Sequence, residues 1–177
     1  MNIDVLKEIL HSKYPDIDAV VIRHEDMVYE ERVKLKCFHC KNYRVKWTCP
    51  GHMPKFDFAR ILEEYDNAAV IICKVSIPNG IITDEIRNIS TNTLHRAMLF
   101  LEGELYKRNE SLAISFIGGS CKLCKNGCNP DACANPSLSR VPWEATGCNV
   151  VKTLEKIGIK VVFPPRDYLY RYGLFLY

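Results

Sequence analysis

Nine cysteines in 177 residues, seven of them in two tight groups, constrain this chain more than any other feature. Cys37, Cys40 and Cys49 form the first group, and Cys121, Cys124, Cys128 and Cys133 the second; only Cys73 and Cys148 stand alone. The count is odd, and no export signal is visible. The opening MNIDVLKEILHSKY scatters acids among its apolar residues and has no h-region or small-residue cleavage site. Disulfide frameworks belong to small secreted domains that lack a core, and this chain is long enough to build one. In a reducing cytosol the remaining uses of clustered cysteine are metal ligation and catalysis. The expectation is a cytoplasmic metal-binding protein.

Outside the cysteines the chain is ordinary, with 47% hydrophobic and 25% charged residues, which argues against disorder. A net charge of +3 is too mild to imply nucleic acid or membrane binding. The longest apolar run, Ala68 to Cys73, falls far short of the ~20 residues a spanning helix needs. At roughly 150 residues per domain, the length suggests one compact domain over 1–177.

Hydrophobic periodicity gives an α/β order. Val5, Leu6, Ile9 and Leu10 predict a helix over 3–13, ended by Pro15, and Ala19 to Ile22 suit a short strand. Residues 32–54 show no sustained period and read as a loop organised by what it binds. A helix is expected over 57–66, a buried strand over 68–77, and a long helix from Asp84 with Leu94, Ala97, Met98, Leu101 and Leu105 on one stripe. Then follow a strand at 112–117, a helix at 143–157, a strand at 159–163 and an aromatic tail, YLYRYGLFLY, read as an edge strand. The expected fold is a mixed sheet with flanking helices and two cysteine-rich cluster-binding loops. If strands 68–77 and 112–117 are parallel neighbours, the loops lie at opposite sheet ends, and helix 57–66 has to carry the first back to meet the second.

The second group reads C-x2-C-x3-C-x4-C, four thiols within thirteen residues. Four thiolates hold zinc or an iron–sulfur cluster. Structural zinc favours two C-x2-C knuckles with a longer spacer, because at ~2.3 Å per Zn–S bond the sulfurs crowd one small tetrahedron. A cubane is wider, and a loop feeding single cysteines around it resembles the bacterial ferredoxin run C-x2-C-x2-C-x3-C-P. The first group, C-x2-C-x8-C-P, has only three thiols. Three arrangements stay open: a cubane with one iron free for substrate, a fourth ligand from Cys73, His39, His52 or Cys148, or ligands traded between loops.

The lone residues have plainer uses. Cys73 lies within an apolar strand and Cys148 flanks a helical stripe, so both suit core packing. His39 suits a solvated loop, and His11, His24 and His95 carry no pattern. Lys34, Lys36, Lys41, Arg44 and Lys46 surround the first group, and Lys122, Lys125 and Arg140 the second. Such cations stabilise a negatively charged thiolate cluster and steer an acidic redox partner, or simply solvate a loop. Tyr43 and Trp47 suit an apolar wall against water better than a base-stacking platform.

The runs CFHCKNYRVKWTCPG and GGSCKLCKNGCNPDACANP, followed by WEATG, resemble the predicted metal-binding proteins catalogued as domain of unknown function 2284. The resemblance covers about residues 30–160 and implies that the seven grouped cysteines are the ligand positions. The leading expectation is an iron–sulfur protein with one or two [4Fe–4S] clusters, exchanging electrons with a protein partner. No phosphate loop, nucleophile–base motif or Rossmann fingerprint is visible, and Gly118-Gly119 is too little for a phosphate cradle. An enzyme with an open iron, with Arg140, Glu144 or His52 positioning substrate, is the alternative; a zinc-stabilised interaction module is the third.

Overall fold

The computed structural model describes residues 1–177. Its helices are α1 (Ile3–His11), α2 (Glu31–Phe38), α3 (Phe58–Leu62), α4 (Asp84–Tyr106) and α5 (Val150–Lys156), and its strands are β1 (Ile17–Val21), β2 (Ala68–Ser76), β3 (Ile114–Phe116) and β4 (Tyr168–Leu176). The strands make one sheet in the order β1-β2-β4-β3, and every ladder is antiparallel. The α/β class holds. No helix is long and apolar enough to cross a membrane.

The sheet is covered on both faces, and the period of two along its central strands shows it. Ala69, Ile71 and Cys73 of β2 join Phe175 of β4 beneath α1 and α4, with Leu6, Leu10, Met98 and Leu101 closing that core. Ala68, Val70, Leu174 and Leu176 point to the opposite face, where Trp143, Cys148, Leu154 and Leu62 form a second core. Two-sided burial is why β2 reads as a continuous apolar run. Thr83 starts α4 by accepting from the Ile86 amide through its hydroxyl (3.2 Å).

Four expectations change. The aromatic tail is a central strand, because β4 pairs with β2 over nine residues and with β3 on its other side. Strands β2 and β3 therefore run parallel but are separated by β4. Residues 159–163 form no strand: β1 and β3 occupy the sheet edges, and Ile159 and Val161 pack onto the second core instead. The helix expected over 143–157 is broken by Gly147 (φ 92°) into a 3-10 turn, Trp143–Thr146, and α5, whose first turn is capped by Asn149. Finally, residues 31–38 are helical, within a stretch expected to be loop throughout. Helix α2 buries none of its residues, so it has no apolar stripe for a periodicity argument to find.

Candidate metal centre

Helix α2 is fixed at its start. The backbone amide of Glu30, its N-cap residue, donates to Gly147 O (3.0 Å). The Glu30 carboxylate accepts from Arg32 Nε (2.8 Å), Lys152 Nζ (2.6 Å) and Asn149 Nδ2 (2.6 Å). Arg32 first, then Lys152 and Asn149, hold that carboxyl far below the usual carboxylate range. Cys37 sits in the last turn of α2, and the Cys40 amide continues the turn by donating to Cys37 O (3.1 Å).

From Cys40 the chain coils on itself. The amides of Tyr43 and Cys49 donate to Cys40 O (2.9 Å) and Lys46 O (3.0 Å), and those of His52 and Met53 both donate to Cys49 O. Arg44 and Gly51 have positive φ, and a Cβ on Gly51 would collide with the Arg44 side chain, so this crossing requires glycine. His52 Nε2 is 3.0 Å from Arg44 O and its ring packs on Trp47 at 4.4 Å, so it is engaged within its own loop. The His39 ring packs edge-on against Phe38.

Cys49 is buried and feels the charges of both Cys40 and Cys37. Burial, then those neighbours, pushes its thiol up to about 12. Cys37 is raised by burial, then by Glu144 and Cys40. The first group is therefore gathered. The second loop leaves β3 at Gly118, which lies so close to β4 that a Cβ would collide with the Tyr172 carbonyl. That contact explains Gly118, and a positive φ (80°) explains Gly119, without any phosphate. Along 121–133 all four cysteines are half-buried, while Lys125 to Gly127 and Asn129 to Ala132 are exposed. The Cys121 thiol is raised by burial and also feels Cys128 and Cys124. Asn135 donates its amide to Cys124 Sγ (3.3 Å).

The two loops meet. Trp47 Nε1 donates to Asn129 O (2.8 Å) across 82 residues of chain, and Lys46 lies within charge reach of Cys121. Lys122 is depressed by burial, then by Lys46, Arg171 and Lys41, so four cations gather at the junction. Residues 20–177 match the family described as predicted metal-binding protein (DUF2284). The chain belongs to that family. No curated protein and no solved structure matches it.

All nine cysteines of this DUF2284 protein are free thiols. As placed, no three His, Cys, Asp or Glu side chains converge on a point where one metal ion would sit. The donor set itself, seven thiols in two gathered loops, is that of a site for a thiophilic metal or an iron–sulfur cluster. Cys73 and Cys148 stand apart in the two cores. Burial pushes each thiol up to about 11, and Cys148 Sγ lies 3.3 Å from Thr153 Oγ1.

Arg140 is engaged structurally. Its guanidinium pairs with Glu102 of α4 (Nε to Oε1, 2.8 Å) and donates to Ser137 O (3.0 Å) and Ser139 O (2.8 Å). The Ser115 amide donates to the same carboxylate (2.9 Å). His95, fully buried in α4, lies with Nε2 2.8 Å from Leu138 O. Together they fasten the exit of the second loop to α4. Sequence reasoning missed both Asn135 as a sulfur donor and Arg171. The parity of β4 could have exposed Arg171, since it shares a face with Gly173 and Phe175, where a cation is out of place.

Proposed function

We propose that the protein binds [4Fe–4S] clusters at its two cysteine loops and passes electrons to or from a protein partner. Cys121, Cys124, Cys128 and Cys133 would hold one cluster, and Cys37, Cys40 and Cys49 would hold a second or share ligands with the first. The observation that carries this reading is the junction of the loops: seven thiols beside a cationic cluster of Lys41, Lys46, Lys122 and Arg171. Thiolate-ligated clusters are net negative, and nearby cations with N–H donors to sulfur raise their potential. Asn135 is such a donor. When bound, a cluster supplies one-electron chemistry. The chain's own residues set local charge and fix the loops to each other, to the sheet and to α4.

A second reading, an enzyme with one open iron in the three-cysteine group, is favoured by Glu144, whose charge is felt at Cys37. Electron-spin spectra of oxygen-free protein, reduced with dithionite, test both. Spectra of a reduced cubane that small thiols and carboxylates leave unchanged are expected for electron transfer. A spectrum altered by an added thiol or acid favours the enzyme. A colourless, spin-silent protein containing zinc overturns both.

A further inference from the structure

Beside the cysteine loops lies a cavity of about 910 Å³, walled by α5, residues 160–172, Gly118 and Glu144. Its volume is that of a small-molecule site, and 13 of its 23 lining residues are hydrophobic. Tyr170 and Tyr172 stack on the β4 wall with ring centres 6.2 Å apart, and Leu154 and Val161 line the same cavity. Four cations line it, Arg87, Lys160, Arg166 and Arg171, against two carboxylates, Glu144 and Asp167.

Arg171 is the half-buried cation of the four, and it is under-used. Its only side-chain hydrogen bond runs from Nε to Ser90 Oγ (3.1 Å). Its Nη1 faces Gly119, 3.6 Å from where a Cβ would stand. Glu144 lies within reach of its charge but makes no ion pair with it; the Glu144 carboxylate accepts from the Gly119 amide instead (3.3 Å). A half-buried guanidinium whose outer N–H groups lack a partner is a fork awaiting an oxyanion. Arg87, exposed on α4 and in no ion pair, lies at the same wall within charge reach of Arg171.

We infer that this cavity, which wraps the edge of β4 that β3 leaves unpaired at 168–172, binds a small organic oxyanion, a carboxylate or phosphate ester with an apolar body, its charged end on Arg171 on the α4 side and its body across that edge against Tyr170, Tyr172 and Leu154. The assignment goes beyond metal binding and does not depend on which metal, if any, the cysteine loops hold.

Calorimetric titration of the full chain with 3-phenylpropionate, phenyl phosphate, 3-phenylpropan-1-ol and inorganic phosphate tests it. At least one aryl anion should bind about tenfold or more tightly than the neutral alcohol and than inorganic phosphate. The tighter of the two anions identifies the headgroup, and either result supports the site. Arg171→Met should weaken the tighter anion about tenfold, and Arg171→Lys, which keeps charge but loses the fork, should restore only part of it. If Arg171→Met fails to fold, Arg87→Met at the mouth should weaken the same anion about threefold. The inference is overturned if the alcohol binds as well as the anions, if inorganic phosphate matches phenyl phosphate, or if a folded Arg171→Met or Arg87→Met variant binds unchanged.

Discussion

The two cysteine loops solve the same problem in opposite ways. The first organises itself: a helix delivers Cys37, a succession of backbone turns joins Cys40 to Met53, and Cys49 is buried within. The second has little structure of its own. Between Ser120 and Pro136 one backbone-to-backbone hydrogen bond forms within the loop, from Gly127 to Cys124 O (3.2 Å), beside a local bond from the Asp131 amide to Asn129 Oδ1 (3.0 Å). It is held at its ends instead, by Gly118 against β4 and by Arg140 and His95 against α4. In the middle its cysteines turn inward while their neighbours face water. A segment of this kind has few contacts of its own to offset its ordering entropy, so on the proposed reading the cluster it holds supplies part of the difference. The first loop carries its own backbone scaffold, and the second, on the proposed reading, is the one whose order depends on its cargo.

The largest expected effect follows from that dependence. Cys121→Ala should cost the metal-loaded protein about 4 kcal/mol, or about 10 °C in melting temperature, because a group bound only by the native state stabilises it by linkage. The same substitution in metal-free protein should change little, and an unchanged melting temperature in the loaded variant would remove the distinction between the loops. Arg140→Met leaves the half-buried Glu102 without its cation and the Ser137 and Ser139 carbonyls at the exit of the second loop without a donor. It should cost about 3 kcal/mol by equilibrium denaturation.

Gly118→Ala drives a methyl into the Tyr172 carbonyl at the root of the second loop, for a loss of about 2 kcal/mol read the same way. Trp47→Phe keeps the aromatic surface but deletes the bond to Asn129 O. Its cost should be about 1 kcal/mol, with faster amide exchange in the second loop and not in the first.

The smallest effect concerns the anchor of the first loop. The folded-state pKa of Glu30 is depressed, so its contribution is fully present above the ordinary carboxylate range, about 4.3, and is lost as pH falls through the folded value. Glu30→Gln should lower the melting temperature slightly at neutral pH and flatten its decline under acid. A parallel decline in both proteins would assign the acid sensitivity elsewhere.

How much of this was readable in the sequence depended on burial. Helices α1 and α4 and strand β2 carry apolar patterns because the sheet buries them, and their expected ranges nearly match. Helix α2 left no such trace, since it buries no residue fully and is anchored at its start by the hydrogen bonds and ion pairs of Glu30. The tail was misplaced because its alternating tyrosines look half-exposed, whereas β2 and β3 pair with both its sides. The grouping of Cys37, Cys40 and Cys49 was plain from spacing, as was the core placement of Cys73 and Cys148. That the loops meet was not, because it rests on one indole bond between residues 82 apart. Arg140 looked available for substrate until its partner on α4, distant in sequence, was located.

The account turns on what the seven grouped thiols hold, and iron and acid-labile sulfide analysis of protein prepared without oxygen tests that most directly. Iron and sulfide in equal amounts, about four or about eight of each per chain, are predicted. Zinc without sulfide, or thiols that react freely while neither metal is found, would contradict it.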